Sequence, residues 1–274
     1  MKSMKYIALL SLIVCAQIAS AQIKPNTRTV VSPPKKLWLF LLAGQSNMAG
    51  RGAVEAADTI PNSHVLILNK DGKWEIAKDP IHFDRDYAGV GPGFTFGKAI
   101  LVKDTSVYIG LIPCAVGGSA IKSWKPNSGK NYQVALDRTR AAMQSGELKG
   151  IIWDQGETDC TEKGVIDYAE KMTDLINGFR TDLGNAKLPF IAGELPAFQM
   201  QQPDKAHQLV DNPYVQQINA VIHGLKGKIT NYDYVTSEQT EHRGDHLHYN
   251  TVSARLMGER YAALMKKLLA ISSK

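Results

Sequence analysis

The sequence predicts a single three-layer α/β/α sandwich built on a central, mostly parallel sheet. Short, continuously apolar runs recur at Leu37–Leu42, Val65–Leu68, Val107–Ile112, Ile151–Trp153 and Phe190–Ala192. A strand covered on both faces reads this way, because neither face meets water. Segments with helical spacing lie between several of these runs, and strand–helix alternation produces a parallel sheet with helices on both faces. The composition, 44% hydrophobic and 21% charged over 274 residues, is that of a globular chain able to bury a sizeable core.

Taken in order, the chain opens on an export signal, residues 1–21. Lys2 and Lys5 form a positive start, Tyr6 to Ile18 is mostly apolar, and Ala19-Ser20-Ala21 is a small-x-small cleavage site. The apolar stretch is shorter than the ~20 residues a membrane-spanning helix needs. Cleavage after Ala21 removes Lys2 and Lys5 and lowers the formal charge from +6 to +4. The expected location is periplasmic or secreted, with no membrane attachment after cleavage. Residues 22–35, with Pro25, Pro33 and Pro34, read as a linker, and residues 36–274 as the domain. The clearest helical pattern is Val165, Ala169, Met172, Ile176 and Phe179. Another runs through Val252, Leu256, Ala263 and Leu264 to Leu268, with Asn250 placed to cap it. The connection from Ala43 to His64 and the stretch DPIHFDRDYAGVGPG read as surface loops at one end. Cys114 and Cys160 remain in the exported product, either paired or as two buried thiols. No long Lys/Arg run is present, so nucleic acid is not indicated as a partner.

Four segments carry candidate chemistry. In LFLLAGQSNMAGRG, an apolar run ends in Gly44 and delivers Ser46 to a turn at a strand's carboxyl end, where open α/β sheets place their sites. The plainer reading is a helix-capping serine. In IGLIPCAVGGSAIKSW, Gly117-Gly118 permits a tight turn whose backbone N–H groups face a ligand, although ordinary loops also use such pairs. In IIWDQGETD, a strand delivers Asp154, Gln155 and Glu157 to the same edge, and a side-chain amide is a neutral donor suited to an oxyanion. In RGDHLHYN, Asp245 and His248 are spaced so that an imidazole faces a serine while a carboxylate holds its other nitrogen. His242, His246, His248 and Asp245 also have the composition of a metal site. No second ligand group with zinc-like spacing accompanies them, so no metal is assigned. Together the segments supply a nucleophile, oxyanion donors, a base and an orienting acid, which is a complete acyl-transfer set.

The order of GQSNM, GGSAIKSW, WDQGETD and DHLH resembles the SGNH-hydrolase superfamily. More narrowly, it is similar to the sialate O-acetylesterase-like domain, which includes acetylxylan esterases of carbohydrate esterase family six. The resemblance runs from about Leu37 to Tyr261 and includes DPIHFDRDYAGVGPGFTFGKAI. It implies a flavodoxin-like sandwich with Ser46 as nucleophile and His248 as base. The oxyanion would be held by the Ser46 N–H, Gly118 and Gln155. The orienting acid is Asp245 of the D-x-x-H motif or, as in some members, Glu157. Asp154 stands where histidine is common in relatives. No G-x-S-x-G elbow occurs, unlike the α/β-hydrolases.

The implied activity is hydrolysis of O-acetyl esters on polysaccharide sugars through an acetyl-serine, with acetylxylan first and O-acetylated sialic acid as the alternative. No cofactor is called for. A non-catalytic carbohydrate-binding domain is the remote alternative, and its mark would be a missing triad member. Trp124 is read either as a wall or sugar-stacking platform of the site or as ordinary packing.

Overall fold

A computed structural model describes residues 28–270. The signal read over residues 1–21 and the first part of the linker lie outside them. The elements run β1 (Lys36–Gly44), α1 (Ser46–Ala49), β2 (Asn62–Leu68), β3 (Trp74–Ala77), α2 (Pro92–Ala99), β4 (Val107–Pro113), α3 (Lys130–Met143) and β5 (Glu147–Asp154). They continue as α4 (Glu162–Ile166), α5 (Tyr168–Asp182), β6 (Phe190–Gly193), β7 (Gln201–Pro203), β8 (Leu209–Asp211), α6 (Tyr214–Gly224), β9 (Tyr232–Val235) and α7 (Thr251–Leu268).

Seven strands form one sheet in the order β3-β2-β4-β1-β5-β6-β9. All its pairings are parallel except that of β3 with β2. The chain starts at the centre, winds to one edge, then crosses back over β1 to build the other half. The reversal falls beside β1, the kind of switch point where open sheets leave a crevice. The apolar run of β1 divides by alternation. Leu37, Leu39, Leu41 and Ala43 enter one core cluster with Trp124, Tyr132, Met172, Phe179 and Ile218. Phe40 and Leu42 enter the other, with Phe94, Phe96, Met257, Tyr261 and Met265. This is the predicted three-layer α/β fold.

Several expectations need correction. The end of the linker is part of the domain: Val31 N–H donates to Trp74 O at 2.9 Å and Ile76 N–H to Thr29 O at 3.0 Å. Residues 29–31 thereby cover the exposed edge of β3, whose backbone groups would otherwise lack partners. The two end loops are surface features only in part: Gln45 to Gly52 and Gly89 to Gly93 are buried and bonded to each other, while residues 53–57, 59–61, 83 and 85–87 are exposed. Gly89 N–H donates to Gly50 O at 3.0 Å, and Gly52 bridges Val90. The helical pattern from Val165 to Phe179 spans two helices that break at Asp167, and the buried residue near the break is Tyr168 rather than Ala169. In α7, the Asn250 side chain caps the helix by accepting from Ser253 N–H at 2.8 Å. Its buried face, however, is Ala254, Met257, Gly258, Tyr261, Ala262 and Met265, with Val252 68% exposed. Cys114 and Cys160 are two free, buried thiols.

Candidate active site

Ser46, the candidate nucleophile, is positioned by backbone geometry. Gly44 has φ +125°, and a Cβ there would lie 2.1 Å from Asp154 O. Only glycine fits this close approach of β1 to β5. Gln45 N–H donates to Asp154 O at 2.8 Å, after which the chain turns into α1 with Ser46 as its first residue. At that position a helix N–H has no acceptor inside the helix, which leaves the Ser46 N–H free of the helix ladder.

His248 Nε2 lies 3.0 Å from Ser46 Oγ, and His248 Nδ1 lies 2.7 Å from Asp245 Oδ2. Asp245 Oδ1 also accepts the backbone N–H groups of Leu247 and His248 at 3.0 and 2.8 Å. Burial pushes the Asp245 carboxyl up, but these bonds and the ring contact outweigh it and hold it below its ordinary value. Of the two candidate acids, Asp245 is the one bonded to the His248 ring. Glu157, the other candidate, accepts from Asn47 Nδ2 at 2.6 Å and does not reach the His248 ring nitrogens.

Asn47 is a residue of the candidate site that the sequence reading passed over. Its Nδ2 also donates to Leu247 O at 3.1 Å, and its Oδ1 accepts from Tyr249 N–H at 3.1 Å. It thus grips the chain on both sides of His248. Gln199 adds a second bond to Leu247 O at 2.7 Å. The only signal in the sequence was its place beside Ser46. His242 holds the same loop from the other end: its Nδ1 accepts from Gly244 N–H and His246 N–H at 3.0 and 3.1 Å.

The glycine turn is fixed by Asp84, also missed. Asp84 Oδ2 accepts from Gly117 N–H at 2.9 Å and pairs with Arg51 at 2.7 Å. With Gly117 occupied, Gly118, at φ +75°, is the turn residue whose N–H borders the cavity beside Ser46.

Two predicted site residues face elsewhere. Gln155 is fully buried, and its Nε2 is directed at Asp159 Oδ2 (2.5 Å), Ser119 O (3.1 Å) and Gln45 Oε1 (3.3 Å). With these acceptors filled, its amide braces the site from behind and does not reach an oxyanion. Trp124 is also fully buried, donates to Ser119 Oγ at 3.0 Å and meets Trp153 edge-to-face at 5.2 Å. It is core packing, because no face remains for a sugar.

The cavity, about 450 Å³, is floored by Ser46, Gly118, Glu157 and His248 and rimmed by Arg85, Tyr87, Gln202 and Arg243. Burial pushes the Glu157 carboxyl up to about 7, against bonds that favour its ionised form from its own backbone, Asn47, Gln199 and Gly156. Asp154 is raised well above its ordinary value, first by burial and then by the Glu157 charge. Its Oδ2 accepts from Tyr261 Oη at 3.0 Å.

Comparison with known proteins follows this geometry. The family of carbohydrate esterases described as sialic acid-specific acetylesterases matches residues 36–267. A probable carbohydrate esterase of Arabidopsis thaliana is 31% identical over 262 residues, which cover 88% of this chain and 94% of that protein. An X-ray structure of a protein from Arabidopsis thaliana superposes with TM-score 0.73 at 30% identity, over 86% of this chain and 99% of that one. The crystal structure of NanS (TM-score 0.70, 16% identity, 88% and 99% covered) shares the fold. So does that of a carbohydrate acetylesterase from Xanthomonas citri (TM-score 0.63, 21% identity, 85% and 56% covered). With the family matched across nearly the whole domain, the chain belongs to the carbohydrate esterases described as sialic acid-specific acetylesterases.

Proposed function

We propose that the protein is an exported serine esterase that removes O-acetyl groups from sugar hydroxyls of a polysaccharide, with acetylxylan as the first substrate. The observation that carries the reading is the unbroken chain Asp245–His248–Ser46 at 2.7 and 3.0 Å, in a cavity that Gly118 also lines. Ser46 Oγ attacks the acetyl carbonyl carbon as its proton passes to His248 Nε2. Asp245 holds Nδ1–H and favours the imidazolium. The carbonyl oxygen becomes an oxyanion held by the Ser46 and Gly118 N–H groups, each donor lowering the barrier by about 3 kcal/mol. The ester C–O bond breaks, and His248 returns its proton to the leaving sugar oxygen. Water, deprotonated by the same His248, then attacks the acetyl-serine, releasing acetate and restoring the Ser46 hydroxyl.

A second reading, O-acetylated sialic acid, is favoured by the cations on the rim. Arg85 has no acidic partner among the described residues, and Arg243 is half exposed while bonded to Asp245 at 3.1 Å. Either could meet a sugar carboxylate. Acetate release from acetylated xylan and from O-acetylated sialic acid, with wild type and Ser46→Ala, decides between them. Release from xylan that vanishes in the variant supports the first reading; release from sialic acid alone moves the substrate to the second. No serine-dependent release from either, in folded protein, overturns both and revives the carbohydrate-binding domain. Export is tested by the mature N-terminus, expected at Gln22.

A further inference from the structure

The catalytic cavity does not end at the oxyanion turn. Gly117, Gly118 and Thr158 also line a second depression of about 650 Å³, so the two cavities adjoin across these residues. The charged groups of the second depression are unevenly matched. Lys122, Lys163 and Lys171 line it, and only Lys171 has an acidic partner among the described residues, Asp167 at 2.6 Å. Asp159, the acidic group on its wall, spends Oδ2 on Ile121 N–H (2.7 Å) and Gln155 Nε2 (2.5 Å). Burial raises its carboxyl above the ordinary value, which works against its carrying charge. The neutral wall groups are hydroxyls and an amide: Ser123, Thr161 and Asn131, whose Nδ2 donates to Ser123 Oγ at 2.9 Å. Apolar side chains on this wall are small, Val116 and Ala120, so an acyl chain would find little to cover.

We propose that this second depression is a sugar subsite that takes a carboxylate-bearing (uronate-class) unit of the same glycan whose acetyl group is presented to Ser46. The inference rests on the esterase reading and adds what lies beside the acetylated sugar. Lys122 and Lys163 supply point charges without competing internal anions, and the hydroxyl and amide groups suit ring hydroxyls. A neutral acetylated glycan reaches the same serine but leaves the two ammonium groups solvated and unused.

The test compares an O-acetylated xylan bearing glucuronate branches with an O-acetylated neutral xylan, using kcat/KM per acetyl group. Wild type is expected to prefer the charged polymer, and Lys122→Gln/Lys163→Gln to lose about tenfold of that preference through KM, as two exposed ion pairs allow. Raising salt to about 0.5 M should erase the same preference, because exposed charges are then screened within a few ångströms. The remote pair Lys70→Gln/Lys73→Gln should leave it intact. Equal kcat/KM for the two polymers in wild type, or a preference untouched by the lysine pair, overturns the subsite. The underlying chemistry is read separately with 4-nitrophenyl acetate: Ser46-dependent turnover alongside such a result removes the subsite alone, and no such turnover removes the esterase reading beneath it.

Discussion

Ser46 and His248, the two halves of the proposed catalytic pair, are held in place by different means. Ser46 stands at a junction of regular elements. Its position follows from the register of β1 against β5, the close approach at Gly44 and the first turn of α1. His248 lies in a loop between β9 and α7, and its place is fixed by side chains: Asn47 and Gln199 reach in from other segments, and Asp245 and His242 bond the loop from within. Backbone placement costs little to maintain but tolerates almost no change of residue at the contact. Side-chain placement is adjustable, and each lost bond weakens it by a share.

The largest effect on rate should come from the histidine side. Asp245→Asn keeps the volume but presents the wrong hydrogen-bonding partner to Nδ1, and kcat should fall by about 10⁴ with melting temperature little changed. Retention of more than a tenth of the activity would mean that another group orients His248. On the serine side, Gly44→Ala should act on folding instead. A methyl group 2.1 Å from Asp154 O, at φ +125°, forces β1 away from β5, and a loss of at least about 3 kcal/mol is expected in urea unfolding. A stable, active Gly44→Ala protein would show that the junction yields.

Asn47→Ala tests the link between the halves. It removes the donor to Glu157 and Leu247 and the acceptor for Tyr249 N–H. With these buried groups unpaired, kcat should drop about 10²-fold while KM moves little. The smallest effect at any one pH is expected from Glu157→Gln. A carboxyl raised from its ordinary 4.5 to about 7 binds its proton more tightly in the folded chain. Its contribution is therefore full below about 4.5 and is lost as pH rises through 7. Wild-type stability should decline across that window, and the variant should show a shallower slope. Asp154, shifted in the same direction, should leave part of the slope in place.

This division also explains what was legible in the sequence. Continuous apolar runs located the five longer or more apolar strands of the sheet, and glycine-rich strand ends located Ser46 and Gly118. The four-residue β3 and β9, each carrying a charged residue, gave too little pattern to register. In α7, counting large apolar residues chose the wrong face, because Gly258 and Ala262 let the helix lie against α2. A Cβ at Gly258 would stand 2.4 Å from Pro92 O. Gln155 and Trp124 were misplaced for a related reason. Residue type identified a possible donor and a possible platform, but direction depends on Asp159, Ser119 and Trp153, which only the fold brings alongside. Asn47, Asp84 and Gln199 have partners 33 to 202 positions away, beyond the reach of spacing arguments.

Ser46 and His248 are separated by 202 positions, one at the end of the first strand and the other just before the last helix. A chain emerging from its N-terminus acquires the nucleophile early and the base nearly last, after every strand of the sheet has been made. A truncated or partly assembled protein therefore holds a serine with no proton acceptor and is chemically silent. Long-range closure of this kind is slow relative to local structure formation. Regain of ester hydrolysis during refolding thus reports completion of the whole domain, where a signal from helix content would appear too soon.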